Sequence, residues 1–174
     1  MPPDFEEVET MDEFSIPFKG LSTGNHHFKF KIEDEFFESF EYFESEKGQI
    51  AVDLEMIKES SLLDLHIQMN GSVSVDCDRC LERVDFPVKG DFRLVVKFGS
   101  NFDEESDEVI VIPTTESRLD IGQYFFEYIN LMLPIKRVHS DENQCNSIII
   151  NKLEKYSEPE IDPRWEALKN IKLK

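Results

Sequence analysis

The sequence predicts an α+β fold, a strand-rich and mostly antiparallel sheet with a few short helices, one of them C-terminal. Three observations carry that expectation. Apolar residues alternate with polar ones in several segments, as in Ile50, Val52, Leu54 and Met56 and again in Leu63, Leu65, Ile67 and Met69. Helical spacing occurs around Phe36 and Phe40, along Ile121 to Met132, and near the end, where Trp165 and Leu168 share one side of a helix. Fifteen phenylalanines within 174 residues supply the bulk for one core, and a chain of this length needs no disulfide staples to close it.

In chain order, residues 1–13 read as an acidic, loosely held arm, and 14–174 as a single domain. Ile16-Pro17-Phe18 suits a short edge strand, because proline cannot donate within a central ladder. Gly20 to Gly24 forms a turn, and Phe28, Phe30 and Ile32 alternate as the next strand. Phe36, Phe40 and Phe43 at i, i+4 and i+7 mark a helix over 34–45.

The strands over 50–56 and 63–69 follow, and Asn70-Gly71 then signals a hairpin. Parity favours a three-residue loop there, since it keeps Met69, Val73, Val75 and Cys77 on one face. Val84, Phe86, Val88, Phe92, Leu94, Val96 and Phe98 share parity with Gly90, which fits either one strand kinked at Gly90 or a hairpin turning there. Residues 99–107 read as an acidic loop and 108–112 as a short strand. Asp120 caps a helix that ends before Pro134, and Asp162-Pro163 opens a helical tail near 162–171.

Charge narrows the functional classes. The net formal charge is −18, with 16 acids against 5 bases in residues 1–60 and 8 acids against Arg118 alone in 101–130. Nucleic-acid affinity comes largely from Lys and Arg displacing counterions, so a surface this acidic repels RNA and DNA at long range. A basic protein is the natural complement, although acid excess also serves solubility alone. The start MPPDFEEVET lacks the basic and apolar character of a secretory signal, and no apolar run approaches the ~20 residues of a membrane helix. With an odd count of three cysteines, the chain reads as cytoplasmic, with no membrane partner.

The sharpest local motif is Cys77-Asp78-Arg79-Cys80. Two thiolates at this spacing on a chain reversal grip one zinc ion, and Cys145 with His139 six residues before it complete a candidate four-ligand set. The bland alternative is two buried thiols at a tight turn. His66, opposite in parity to Leu65, should point away from Cys77. A redox dithiol belongs at a helix N-terminus, whereas this pair lies between strand patterns. Gly20-Leu21-Ser22-Thr23-Gly24 spells a nucleophile elbow, but a strand pattern follows it where a helix is required. The carboxylates form solvated runs, and the aromatics interleave with glutamates where a single-strand binder would need a basic groove. No catalytic residue is nominated, and the chain is expected not to be an enzyme.

Several stretches taken together resemble the YceD family of large-subunit ribosomal RNA accumulation proteins, in its Bacteroidetes-type form. They are residues Val73 to Glu82, Leu119-Asp120-Ile121 leading into Leu133-Pro134-Ile135, His139 with Cys145, and the ending from Asp162 to Leu168, with Ile16 to Leu21 near the start. Many relatives have a second cysteine pair where this chain has Cys145 alone, which leaves Cys77, Cys80, Cys145 and His139 as the zinc candidates. The resemblance implies a non-enzymatic accessory role in accumulation or processing of large-subunit (23S) ribosomal RNA. With the acidic balance, it suggests binding to a basic ribosomal protein or large-subunit assembly factor. Arg79, Arg83, Arg164 and Trp165 are candidates for a local RNA or partner contact. A zinc-stabilised interaction module outside the ribosome and an RNA-processing enzyme are the competing classes.

Overall fold

The computed structural model describes residues 5–7, 14–40, 47–106 and 108–157. Among these residues nine strands run in chain order: β1 Phe5–Glu7, β2 Ser15–Ile16, β3 Gly24–Ile32, β4 Lys47–Lys58, β5 Leu62–Asp76, β6 Arg83–Gly99, β7 Asp103–Ser106, β8 Val109–Pro113 and β9 Leu119–Asp120. Helix α1 (Asp34–Glu38) separates β3 from β4, and α2 (Gly122–Met132) and α3 (Ser147–Ser157) follow β9. Seven strands form one sheet in the order β1-β3-β4-β5-β6-β8-β7, and β2 pairs with β9 apart from it. Each of β3 to β6 is antiparallel to its neighbour in that set, while β1 joins β3 and β8 joins β6 in parallel. The α+β class and the antiparallel majority expected from sequence are what the molecule shows.

Register explains the alternation. Phe28, Leu54, Ile67 and Phe92 lie opposite one another across four strands, as do His26, Met56, Leu65 and Leu94 one row away. One face of the sheet therefore collects the apolar set, and α1, α2 and the β2–β9 pair cover it. Phe14 sits at the centre of that cover, edge-on to Phe36 at 4.9 Å and to Phe125 at 5.8 Å between ring centres. Phe125, Ile121 and Ile129 of the α2 segment are fully buried against the sheet.

Some local expectations were overturned. Asn70-Gly71 is not a turn, because β5 runs unbroken from Leu62 to Asp76 with β4 and β6 on its two flanks. Local turn preference yields to fifteen residues of ladder. Gly71 instead permits close backbone approach, since a Cβ there would collide with the Gln49 carbonyl and lie 2.6 Å from Ile50 Cα. The tight reversal lies at 59–61, where the Glu59 N–H donates to the Leu62 carbonyl. At Gly90 β6 is one continuous strand, and a side chain there would press on Phe92 and on Met132 Sδ at 2.7 and 2.8 Å.

The acidic stretch expected as a loop contains β7, antiparallel to β8, and Phe5–Glu7 of the acidic arm pairs with the free edge of β3. The first helix ends at Glu38, short of the expected span, and buries Phe37 beside Phe36. Phe43 and the tail helix near 162–171 lie outside the described residues. The C-terminal helix among the described residues is α3. Asp120 holds the start of α2 from within β9, its carboxylate accepting the Gly122 N–H at 3.0 Å.

Candidate metal centre

The turn joining β5 to β6 carries the cysteine pair. Cys77 follows the last residue of β5, and its N–H donates to the Glu82 carbonyl at 2.8 Å while its own carbonyl accepts from Leu81 N–H at 2.8 Å. This closure puts Leu81 in the left-handed region, φ 61°, with its side chain 73% exposed. A branched chain at such φ is disfavoured, so the turn holds it against its preference.

The second half of the site comes from the segment after α2. Residues Glu142–Gln144 form one 3-10 turn, begun by Asp141, whose carboxylate accepts the Asn143 N–H. The turn delivers Cys145, and α3 starts two residues later. Polar ties fasten the two halves together. Asp78 N–H donates to the Arg137 carbonyl at 2.7 Å, and Arg137 N–H returns to the Asp78 carboxylate at 2.6 Å. The Asn146 side-chain amide donates to Glu82 at 2.7 Å, and Arg79 pairs with Glu142 at 3.2 Å.

The sulfurs of Cys77, Cys80 and Cys145 and a ring nitrogen of His139 lie within 4.8 Å of one another. His139 Nδ1 is 3.6 Å from Cys80 Sγ and 3.5 Å from Cys145 Sγ. Four ligands held tetrahedrally at about 2.3 Å from a metal would be about 3.8 Å apart. The donor set thus sits near the required spacing, close enough to bind a metal. All three cysteines are free and buried. Val84, Val138, Ile149 and Ile150 pack around them as a satellite cluster, which Val84 links to the main core.

Burial pushes the Cys77 thiol up, but N–H donors of Arg79, His139 and Cys80 outweigh it and bring it down to about 6. Cys145 moves the other way, raised by burial and by sharing its space with Cys80 and Cys77. A divalent cation at such a set of donors would supply the positive charge that thiolate ligands need.

Of the sequence candidates, Cys77, Cys80, His139 and Cys145 converge as proposed, and His66 turns outward to Asp64 at 3.6 Å. Arg79 borders the cluster, and Arg83 pairs with Asp76 at 3.3 Å. Arg164 and Trp165 lie outside the described residues. The Ser22 turn leads directly into β3, and His26 Nε2 lies 2.9 Å from the Ser22 carbonyl oxygen, away from any nucleophile geometry. Sequence reasoning missed the Asp78–Arg137 clamp and the α3 contacts. The run Ile148-Ile149-Ile150 was the available signal for a second, small apolar cluster.

Residues 65–172 match the family model described as large ribosomal RNA subunit accumulation protein YceD. The chain belongs to the YceD family. The YceD match begins in β5 and takes in the cysteine turn, β6, α2 and every metal-cluster residue, while β1 to β4 precede it. No curated protein and no solved structure matches the chain. The YceD name connects the chain with accumulation of the large ribosomal RNA subunit, and no helix among the described residues is long and apolar enough to cross a membrane.

Proposed function

We propose that this chain is a non-enzymatic, cytoplasmic accessory factor that supports accumulation of large-subunit (23S) ribosomal RNA by binding a basic ribosomal protein or assembly factor. The YceD match over residues 65–172 carries the reading. The charge of −18 favours a cationic polypeptide over bare RNA as the direct partner. In this reading Cys77, Cys80, His139 and Cys145 hold one Zn²⁺. Four protein ligands leave no open position for a water, and a closed site of this kind is structural, whereas catalytic zinc keeps one position free. The zinc then fixes the β5–β6 turn against α3 and does no chemistry.

A deletion strain tests the function. Sucrose-gradient profiles should show fewer large subunits relative to small ones, with less large-subunit RNA. Normal subunit ratios would overturn the proposal. Metal analysis of purified protein should find one zinc per chain, and a sub-stoichiometric value would remove the structural zinc without touching the ribosomal role.

A further inference from the structure

The lower half of β6 has an open edge. Parallel pairing with β8 begins only at Val95 opposite Val109, so among the described residues no strand lies beside Arg83–Leu94 on the side away from β5. Val95 directs its N–H outward to the Glu108 carbonyl at 2.7 Å. Backbone groups alternate sides along a strand, so Arg93, Asp91, Lys89 and Asp85 point theirs outward as well. Pro87 shares that parity, which places the residue without an N–H where β5 asks for none.

A cleft of about 500 Å³ spans β5 and β6 and reaches this edge at Arg93 and Glu108; Ile67, Phe92, Tyr128 and Leu131 give its apolar lining, and His66, Gln68 and Asp91 its polar one. Tyr128 stacks on Phe92 at 4.2 Å between ring centres. It is 94% buried (6% exposed), yet among the described residues its hydroxyl finds no hydrogen-bond partner. Leu131 stands 75% exposed at the rim. An open ladder, an apolar wall and a buried hydroxyl without a partner coincide at one place.

We infer that the open edge of β6 receives an extended segment of a basic polypeptide, which adds as a strand beside residues 85–93 and turns apolar side chains toward Phe92 and Leu131. This rests on the proposed function and names the contact it would use. Strand addition needs only backbone groups for affinity and alternate side chains for selectivity. Charge selects the occupant. Arg93 is held by both oxygens of Asp64 on β5 at 2.8 and 2.7 Å and Arg83 pairs with Asp76 at 3.3 Å, so both pairs cancel and leave Asp85, Asp91 and Glu108 along the edge against Lys89. A second copy of this chain would bring its own −18 and be repelled.

The test uses the full chain and a synthetic peptide of about twelve residues alternating lysine with valine, with a version containing alternate D-residues as the control for charge alone. Only the all-L peptide should bind well, and it should slow hydrogen exchange at the amides of Lys89, Asp91 and Arg93. Lys89→Pro removes one outward N–H and spares the β5 ladder, so it should weaken binding about tenfold, whereas Lys89→Ala should change it little. Binding of the D-containing peptide as tightly as the all-L form would overturn the inference, as would unchanged exchange at those amides. Exchange already slow in the free chain would also overturn it, by assigning the edge to residues 158–174 if their removal releases it, or to a second copy if it depends on concentration. Should Lys89→Pro prove unable to fold, the exchange measurement on the unaltered chain decides alone. A strain carrying Lys89→Pro separates the two proposals: a normal ribosome profile beside a defective deletion strain rejects the edge and keeps the function. A normal deletion strain rejects the function whatever the peptide does.

Discussion

The phenylalanine layer under the sheet and the cysteine lobe at the end of β5 and β6 are held together by different means. Beneath the sheet, Phe14, Phe28, Phe30, Phe36, Phe37 and Phe125 are all buried, and their rings meet in edge-to-face and tilted pairs, with Phe28 stacked on Phe30. Aromatic side chains that bury ~150–250 Å² each make such a layer self-sufficient. Among the described residues the lobe has four apolar side chains, all only partly buried, around three cysteines, and residues 151–156 of α3 are exposed throughout. Burial of that size cannot order an eleven-residue helix, since short helices are marginal without packing. One region is built by the hydrophobic effect. The other has its ligands in place and too little core, which is the usual condition of a domain that folds on metal.

If the proposed zinc orders the lobe, that contrast breaks most visibly by removing it. A strong chelator, or Cys80→Ser, should abolish hydrogen-exchange protection over 135–157 while the amides of β4 and β5 keep theirs. The expected loss to the lobe is large, because structural zinc contributes on the order of 10 kcal/mol in small metal-folded units. If α3 stays protected in metal-free protein, the lobe is held by packing after all. The complementary break is Phe125→Ala. Its ring touches Phe14 and Phe30, and its loss should cost about 3–5 kcal/mol of global stability in denaturant titration. The folded fraction should still hold one metal per chain.

The same contrast decides what the sequence could show. Period-two runs announced β3 to β6 because each strand has one buried face, and a buried face imposes parity on its residues. The Asn70-Gly71 signal misled because turn chemistry is local, whereas the two strands flanking β5 are not. Parity across Met69, Val73 and Val75, used to argue for a particular loop length, is simply the period of one long strand. The four metal-ligand candidates were legible from residue type and spacing, since thiols and imidazole advertise their chemistry. The ties that bring His139 to the cysteines were not, because a backbone clamp such as Asp78 with Arg137 leaves no residue-type signature. Nor was α3 legible, because three successive isoleucines show neither helical nor strand periodicity.

A smaller effect sharpens the comparison from inside the lobe. Leu81 stands in the left-handed region at φ 61°, and its side chain is too exposed to stabilise the turn by burial. Leu81→Gly should remove a backbone penalty of about 1 kcal/mol and concede part of it to the freer unfolded chain. If metal binding and closure of the turn are coupled as proposed, the gain should appear as tighter metal binding, up to about fivefold in a chelator competition. The midpoint for unfolding the sheet should stay where it is, since the phenylalanine layer does not touch Leu81. Weaker metal binding in Leu81→Gly would mean that the leucine side chain steadies the turn by contact, and the strain assigned to this position would be wrong. A shift of the sheet's midpoint as large as the change at the metal would show the two regions to be one cooperative unit, with the lobe depending on the same core as everything else.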